Sequence, residues 1–158
     1  MPKGRLSFLA VLLLLTTVCK GQNRVKDFFS RYLPLSTELS AQYGIPVSII
    51  LGVSFEESGF GTSRNCKLLN NFFGVRGRNT LKKSHSTYKQ YNSPEDSFRD
   101  FCNILTRKKF YSKLKNDMNS AKWIDAMDKA NYASGQAIWK KETTIIIKKY
   151  RLSQYDTK

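Results

Sequence analysis

The chain is poor in the residues from which metal centres and thiol active sites are built. Its 158 residues include one His and three Cys, too few for a metal-ligand constellation or a convincing Cys–His nucleophilic pair, so no cofactor is expected. Acids are scarce too: 12 Asp and Glu stand against 27 Lys and Arg, a net charge of +15. That balance suits an anionic partner or surface, whether nucleic acid, anionic lipid or the acidic polymers of a cell envelope. Internal repeats, low-complexity tracts and linkers are missing, so the length reads as one domain able to bury its own core.

The longest apolar run, Leu6 to Val18, is too short to span a bilayer as a stable helix. It follows basic Lys3 and Arg5 and precedes Cys19-Lys20-Gly21, the layout of a signal peptide over residues 1–21. Cleavage after Gly21 predicts an exported chain, periplasmic or extracellular, whose domain covers 22–158. Lipidation at Cys19 ranks second, because bulky Val18 fits a lipoprotein signal badly. Three of the 27 basic residues and no acid fall in that segment, which leaves the rest at +12. The densest basic cluster, Arg107 to Lys115 around Phe110 and Tyr111, reads as a solvated helix end with two core aromatics, and no specific nucleic-acid partner is expected.

Beyond the signal, Cys66 and Cys102 remain. In an exported chain they permit one disulfide worth roughly 4 kcal/mol on the chain-entropy model. Alternatively, Cys102 is a small buried hydrophobe on the face made by Phe98, Phe101 and Leu105.

The apolar pattern predicts one or two helices over 23–42, interrupted at Pro34 and stopped at Gly44. A central helix follows from Pro46, with an apolar run from Ile45 to Phe55. Residues 74–92 read as a short hairpin or loop. Ser93-Pro94-Glu95-Asp96 opens a helix to about Thr106. Further helices are predicted over 120–130 and 136–150, the latter despite the β-branched run Thr143 to Ile147.

Glu57 ends the central helix where Ser58-Gly59-Phe60-Gly61 begins a turn. A carboxylate there packs poorly but can transfer protons at a cleft edge, and the helix dipole and partial burial raise its pKa. Glu56, about 100° around the helix, is expected to be solvated.

Taken in order, Gly44-Ile45-Pro46, Glu57 to Gly61, Asn70-Asn71-Phe72-Phe73-Gly74-Val75, Tyr91 to Phe98, Asn131-Tyr132-Ala133 and Lys148 to Leu152 make a specific set. On these motifs the chain, from Val25 to Asp156, resembles the peptidoglycan-cleaving endo-β-N-acetylglucosaminidases of glycoside hydrolase family 73. The resemblance implies a mainly α, lysozyme-like domain with a small hairpin or loop lobe over a glycan groove. It implies cleavage after N-acetylglucosamine in peptidoglycan strands by a monomer, with Glu57 as general acid and Tyr132 facing the cleaved sugar. Phe60, Asn71, Phe73, Gly74 and Tyr91 are the substrate-binding candidates from the same motifs; Phe73 could also be plain core, and Tyr132 a helix-end aromatic. Many relatives carry a second carboxylate on the hairpin, whereas residues 76–92 hold no acid here. Glycosidases usually need two carboxylates, so attack by the substrate's 2-acetamido group or by a water held near Tyr132 stays open. So do three other readings: a muramidase, a lytic transglycosylase and a non-catalytic glycan-binding domain.

Overall fold

The computed structural model describes residues 5–81, 86–133 and 135–156, with side chains from Asn23 onward, Gln136 excepted. The side chains of the expected signal segment lie outside that description. Among the described residues no helix is long and apolar enough to cross a membrane.

Among the described residues seven α-helices carry the fold: α1 Arg5–Tyr43, α2 Val47–Glu57, α3 Arg64–Leu69, α4 Pro94–Thr106, α5 Tyr111–Leu114, α6 Ser120–Lys129 and α7 Gln136–Lys149. A 3-10 turn, Leu152–Tyr155, follows. The mainly α architecture expected from the sequence is what forms.

α2 is the axis of the molecule because its sequence offers no polar stripe. Every residue from Val47 to Phe55 is buried, and α1, α4, α6, α7 and the 3-10 turn all pack on it. Gly52 lets α7 approach, since a Cβ there would stand 2.9 Å from Ile147 Cγ1. At the other end Asp156 accepts hydrogen bonds from Ser48, 2.8 Å from its backbone N and 2.6 Å from its Oγ. A carboxylate at a helix's first turn opposes the positive end of the dipole, so the 3-10 turn is tied to the start of α2.

Pro34 does not interrupt α1 as the sequence reading expects; the helix runs through it. The hydrogen bond that proline removes is the one to Ser30 O, and both residues lie on the exposed face, where water can take the freed carbonyl. Tyr32, Ser36, Leu39 and Ser40, buried on the opposite side, hold both halves to the core. Tyr32 stacks on Phe98 at 5.1 Å and meets Phe72 edge-on at 4.9 Å.

The start of α4 follows the sequence closely, with Ser93 Oγ accepting from Asp96 N and Pro94 in the first turn. Its inner face, Phe98, Phe101, Cys102 and Leu105, is fully buried. The disulfide is not formed. Cys66 and Cys102 are free and buried, each packed as a small apolar side chain, and burial pushes the thiols up to about 11 and about 12.

The hairpin lobe is short. Arg76 pairs antiparallel with Tyr88, flanked by bonds from Lys89 N to Val75 O at 2.8 Å and from Gln90 N to Arg78 O at 3.0 Å. Phe110 and Tyr111 pack edge-on against fully buried Trp123, as core aromatics at a basic helix end should.

Candidate active site

The cleft lies where α2 ends beneath the hairpin lobe. Beyond Glu57 the chain reverses through Gly59, Phe60 and Gly61, all with positive φ, which leaves the Glu57 side chain at the lip of the core. A groove of about 340 Å³ opens there, lined by Glu57, Phe73, Gly74, Val75, Arg76, Tyr88, Ile104, Lys108, Asn131, Tyr132 and Ala133. Burial pushes Glu57 up to about 7, and nearby Trp139 tempers the rise. A carboxyl in this state is protonated over the lower half of the physiological range and can give its proton away.

Gly74 sets the distance between lobe and acid. Its φ is +63°, and a Cβ there would stand 3.1 Å from Glu57 Oε2. Only glycine combines that left-handed turn with so close an approach to the carboxylate. Phe73, just before it, lies flat on Phe101 at 4.2 Å and edge-on to Phe98. Across the groove the Tyr132 hydroxyl is directed at Phe73 O, 3.5 Å away. Burial, then the nearby Glu57 and Glu56, drive the Tyr132 phenol well above its ordinary value, so it stays a neutral donor.

A sequence model of mannosyl-glycoprotein endo-β-N-acetylglucosaminidase, the glucosaminidase family, matches residues 33–152. The chain belongs to that family. It is a glycoside hydrolase, as its glucosaminidase membership requires. No protein of curated function matches it by sequence, but solved structures share the fold at low identity. The catalytic domain of the autolysin Auto from Listeria monocytogenes is 20% identical, with a TM-score of 0.68, over 84% of this chain and 88% of that one. The glycoside hydrolase domain of FlgJ from Salmonella typhimurium is 25% identical, TM-score 0.61, over 82% and 91%. A peptidoglycan hydrolase from Sphingomonas sp. A1 is 16% identical, TM-score 0.65, over 82% and 91%. These likenesses carry the lysozyme-like fold.

Of the residues singled out in the sequence, this glucosaminidase brings Glu57, Phe73, Gly74 and Tyr132 to one groove. The other three lie elsewhere. Asn71 is buried beneath the hairpin, donating to Val75 O at 2.8 Å and Lys89 O at 2.7 Å while its Oδ1 accepts from Val75 N at 3.1 Å. It braces both hairpin segments and the turn at Gly74. Tyr91 is buried at the lobe's root, where its hydroxyl and Lys89 Nζ both donate to Asp100 Oδ2 at 2.8 Å. Phe60 packs against Phe55 at 5.7 Å and lines a separate hollow of about 180 Å³ with Arg24, Arg31 and Thr62.

Glu56 departs from expectation. It is half-buried rather than solvated, 3.4 Å from the Thr143 hydroxyl, and pushed up to about 7 by burial and then by Glu57. α7 covers this side of α2, so the next position around the helix is shielded as well. Two residues of α7 that sequence reasoning left as packing complete the surroundings. Thr143 is fully buried, and Trp139 is buried with an indole N–H that makes no well-formed hydrogen bond. That N–H nevertheless lies close enough to both carboxylates to hold their acidity up, and the Trp139 ring leans on Tyr132 at 5.1 Å. The available signal was a Trp and a Thr four residues apart on one helix face. Among the described residues no group of His, Cys, Asp and Glu could hold a metal ion.

Proposed function

We propose that this glucosaminidase is an exported cell-wall hydrolase that cuts the β-1,4 bond following N-acetylglucosamine in peptidoglycan, with Glu57 as general acid. The observation that carries the reading is a carboxyl held protonated up to about 7 at a groove wall, with Tyr132 opposite. Two of the structural neighbours are described as the catalytic domain of an autolysin, from Listeria monocytogenes, and as a peptidoglycan hydrolase, from Sphingomonas sp. A1, which supports this reading. Lys3, Arg5 and the apolar run after them support export.

In the reaction Glu57 gives its proton to the glycosidic oxygen as the bond to the anomeric carbon breaks, so the leaving sugar departs as a neutral alcohol. Positive charge then develops on the ring. Glu57 is the one acid on the groove among the described residues, and Glu56 turns toward Thr143. The electron pair for the anomeric carbon therefore comes from the substrate's own 2-acetamido oxygen, a route open only to 2-acetamido sugars. Tyr132 and the Phe73 carbonyl position that sugar. Glu57⁻ next takes a proton from the water that opens the cyclic intermediate, which restores the acid.

Mass spectrometry of purified peptidoglycan after digestion tests the reading. The expected product ends in reducing N-acetylglucosamine, and Glu57→Gln lowers the rate by about 10²–10⁴. A reducing N-acetylmuramic end or an anhydro sugar would replace the assignment with muramidase or lytic transglycosylase chemistry. Undiminished cleavage by Glu57→Gln would remove Glu57 from the mechanism.

A further inference from the structure

The groove at Glu57 is cationic. Arg76 reaches it from the first hairpin segment and Lys108 from the turn just after α4, so two basic side chains from separate elements meet along a cleft that holds a single acid. Neither cation takes part in an ion pair among the described residues, where Lys89, Arg99, Lys122 and Lys140 are the bases engaged. Nor do they serve the acid. The shift at Glu57 comes from burial and from Trp139, whereas a cation in contact with that carboxylate would hold its pKa down. Arg76 and Lys108 thus line the groove without pairing with Glu57.

A neutral polysaccharide gives such side chains nothing to pair with. We infer that Arg76 and Lys108 form a carboxylate-binding subsite, through which the groove reads acidic substituents on the glycan strand as well as its sugars. The inference rests on the proposed peptidoglycan substrate and adds its chemical selectivity: strands bearing free carboxylates on their lactyl-linked peptides bind in preference to neutral ones. Arg76 offers a two-pronged donor to a carboxylate and Lys108 a point charge. Arg76 is exposed and Lys108 partly so; each such pair is worth a few-fold in affinity, together about tenfold at low salt, and less as salt screens them.

The test uses the Glu57→Gln protein, which binds without consuming its ligand, titrated at low salt with soluble peptidoglycan strands and with the same strands after chemical amidation of their carboxylates. The expected result is about tenfold weaker binding of the amidated strands. Adding Arg76→Gln and Lys108→Gln should bring native strands to that same weaker affinity and abolish the difference. Lys67→Gln with Lys113→Gln removes equal charge from exposed positions off the groove and should preserve the difference. Equal affinity for the two strand types, no binding of either, or an equal loss from the off-groove pair would overturn the subsite. Cleavage of native strands by the wild-type protein, measured separately, reports on the proposed function; a protein that cleaves native and amidated strands equally keeps that function and loses the subsite.

Discussion

Replacing Gly74 by alanine probes the contact between the hairpin lobe and Glu57 most directly. Two costs are readable from the structure. At φ +63° an L-residue in the left-handed region costs about 1–2 kcal/mol, which for a domain of this size lowers Tm by roughly 3–8 °C. The new Cβ would also lie 3.1 Å from Glu57 Oε2, tighter than ordinary van der Waals contact, so the carboxyl or the turn has to give by a few tenths of an ångström. Since a displacement of about 1 Å can cost about 10²-fold in rate, a shift of that smaller size should lower kcat about tenfold and leave KM little changed. Circular dichroism on heating and release of reducing ends from peptidoglycan measure the two effects. A suitable control is Gly59→Ala, which carries a comparable left-handed φ of +53° but meets only Thr62 Oγ1 at 3.7 Å, an ordinary van der Waals contact. A Gly74→Ala protein with lowered Tm and intact kcat would refute the contact while keeping the backbone argument, and one unchanged in both would refute both.

The pH dependence follows from a carboxyl pushed up to about 7: kcat/KM should fall as pH rises through about 7, and Trp139→Phe, by removing the N–H that tempers the rise, should move that limb to higher pH, as a pH–rate profile will show. Folded-state values above the unfolded 4.5 mean that the native state holds extra protons, so stability is full below about 4.5 and is lost as pH rises toward 7. Urea titrations should accordingly find Glu57→Gln more stable than the parent at pH 8, by about 2 kcal/mol allowing for partial exposure, and nearly equal to it at pH 4. Asn71→Ala removes three hydrogen bonds from beneath the hairpin and should cost about 2–3 kcal/mol; amide exchange must then speed up across 75–78 and 87–90, and unchanged protection there would count against the bracing role. Because both thiols are buried and free, a reducing agent should leave Tm unaltered and a thiol reagent should react only on unfolding.

What the sequence reveals here depends on how local the cause is. The Ser93 cap, Pro94 and the acids after them act within one turn, and α4 begins there. The apolar run from Ile45 to Phe55 has no polar face to offer solvent, which by itself marks α2 as central. α7 keeps its 3.6-residue face through Trp139, Thr143 and Ile147 despite β-branched residues, because burial against α2 outweighs propensity. α3 and α5 are too short to show a period. The passage of α1 through Pro34 depends on which face meets water, and the shielding of Glu56 depends on a helix some 80 residues away. Asn71, Tyr91 and Phe60 carry motif positions whose side chains brace the lobe and core instead of lining the groove. Motif and bracing cannot be separated without the packing.

The bonds between Asp156 and Ser48 tie the helix that carries Glu57 to the turn that follows α7. α2 behaves as a short rod: Asp156 grips Ser48 in its first turn and Glu57 stands at its tip, nine residues further on, about 14 Å away at 1.5 Å per residue. A rod held at one end transmits a tilt to the other. Anything that pulls on Asp156, such as a tag joined directly behind it, would load the helix that carries Glu57, whose carboxyl faces the Gly74 turn. A flexible spacer after Asp156 is therefore a design rule for anyone who fuses this domain to another.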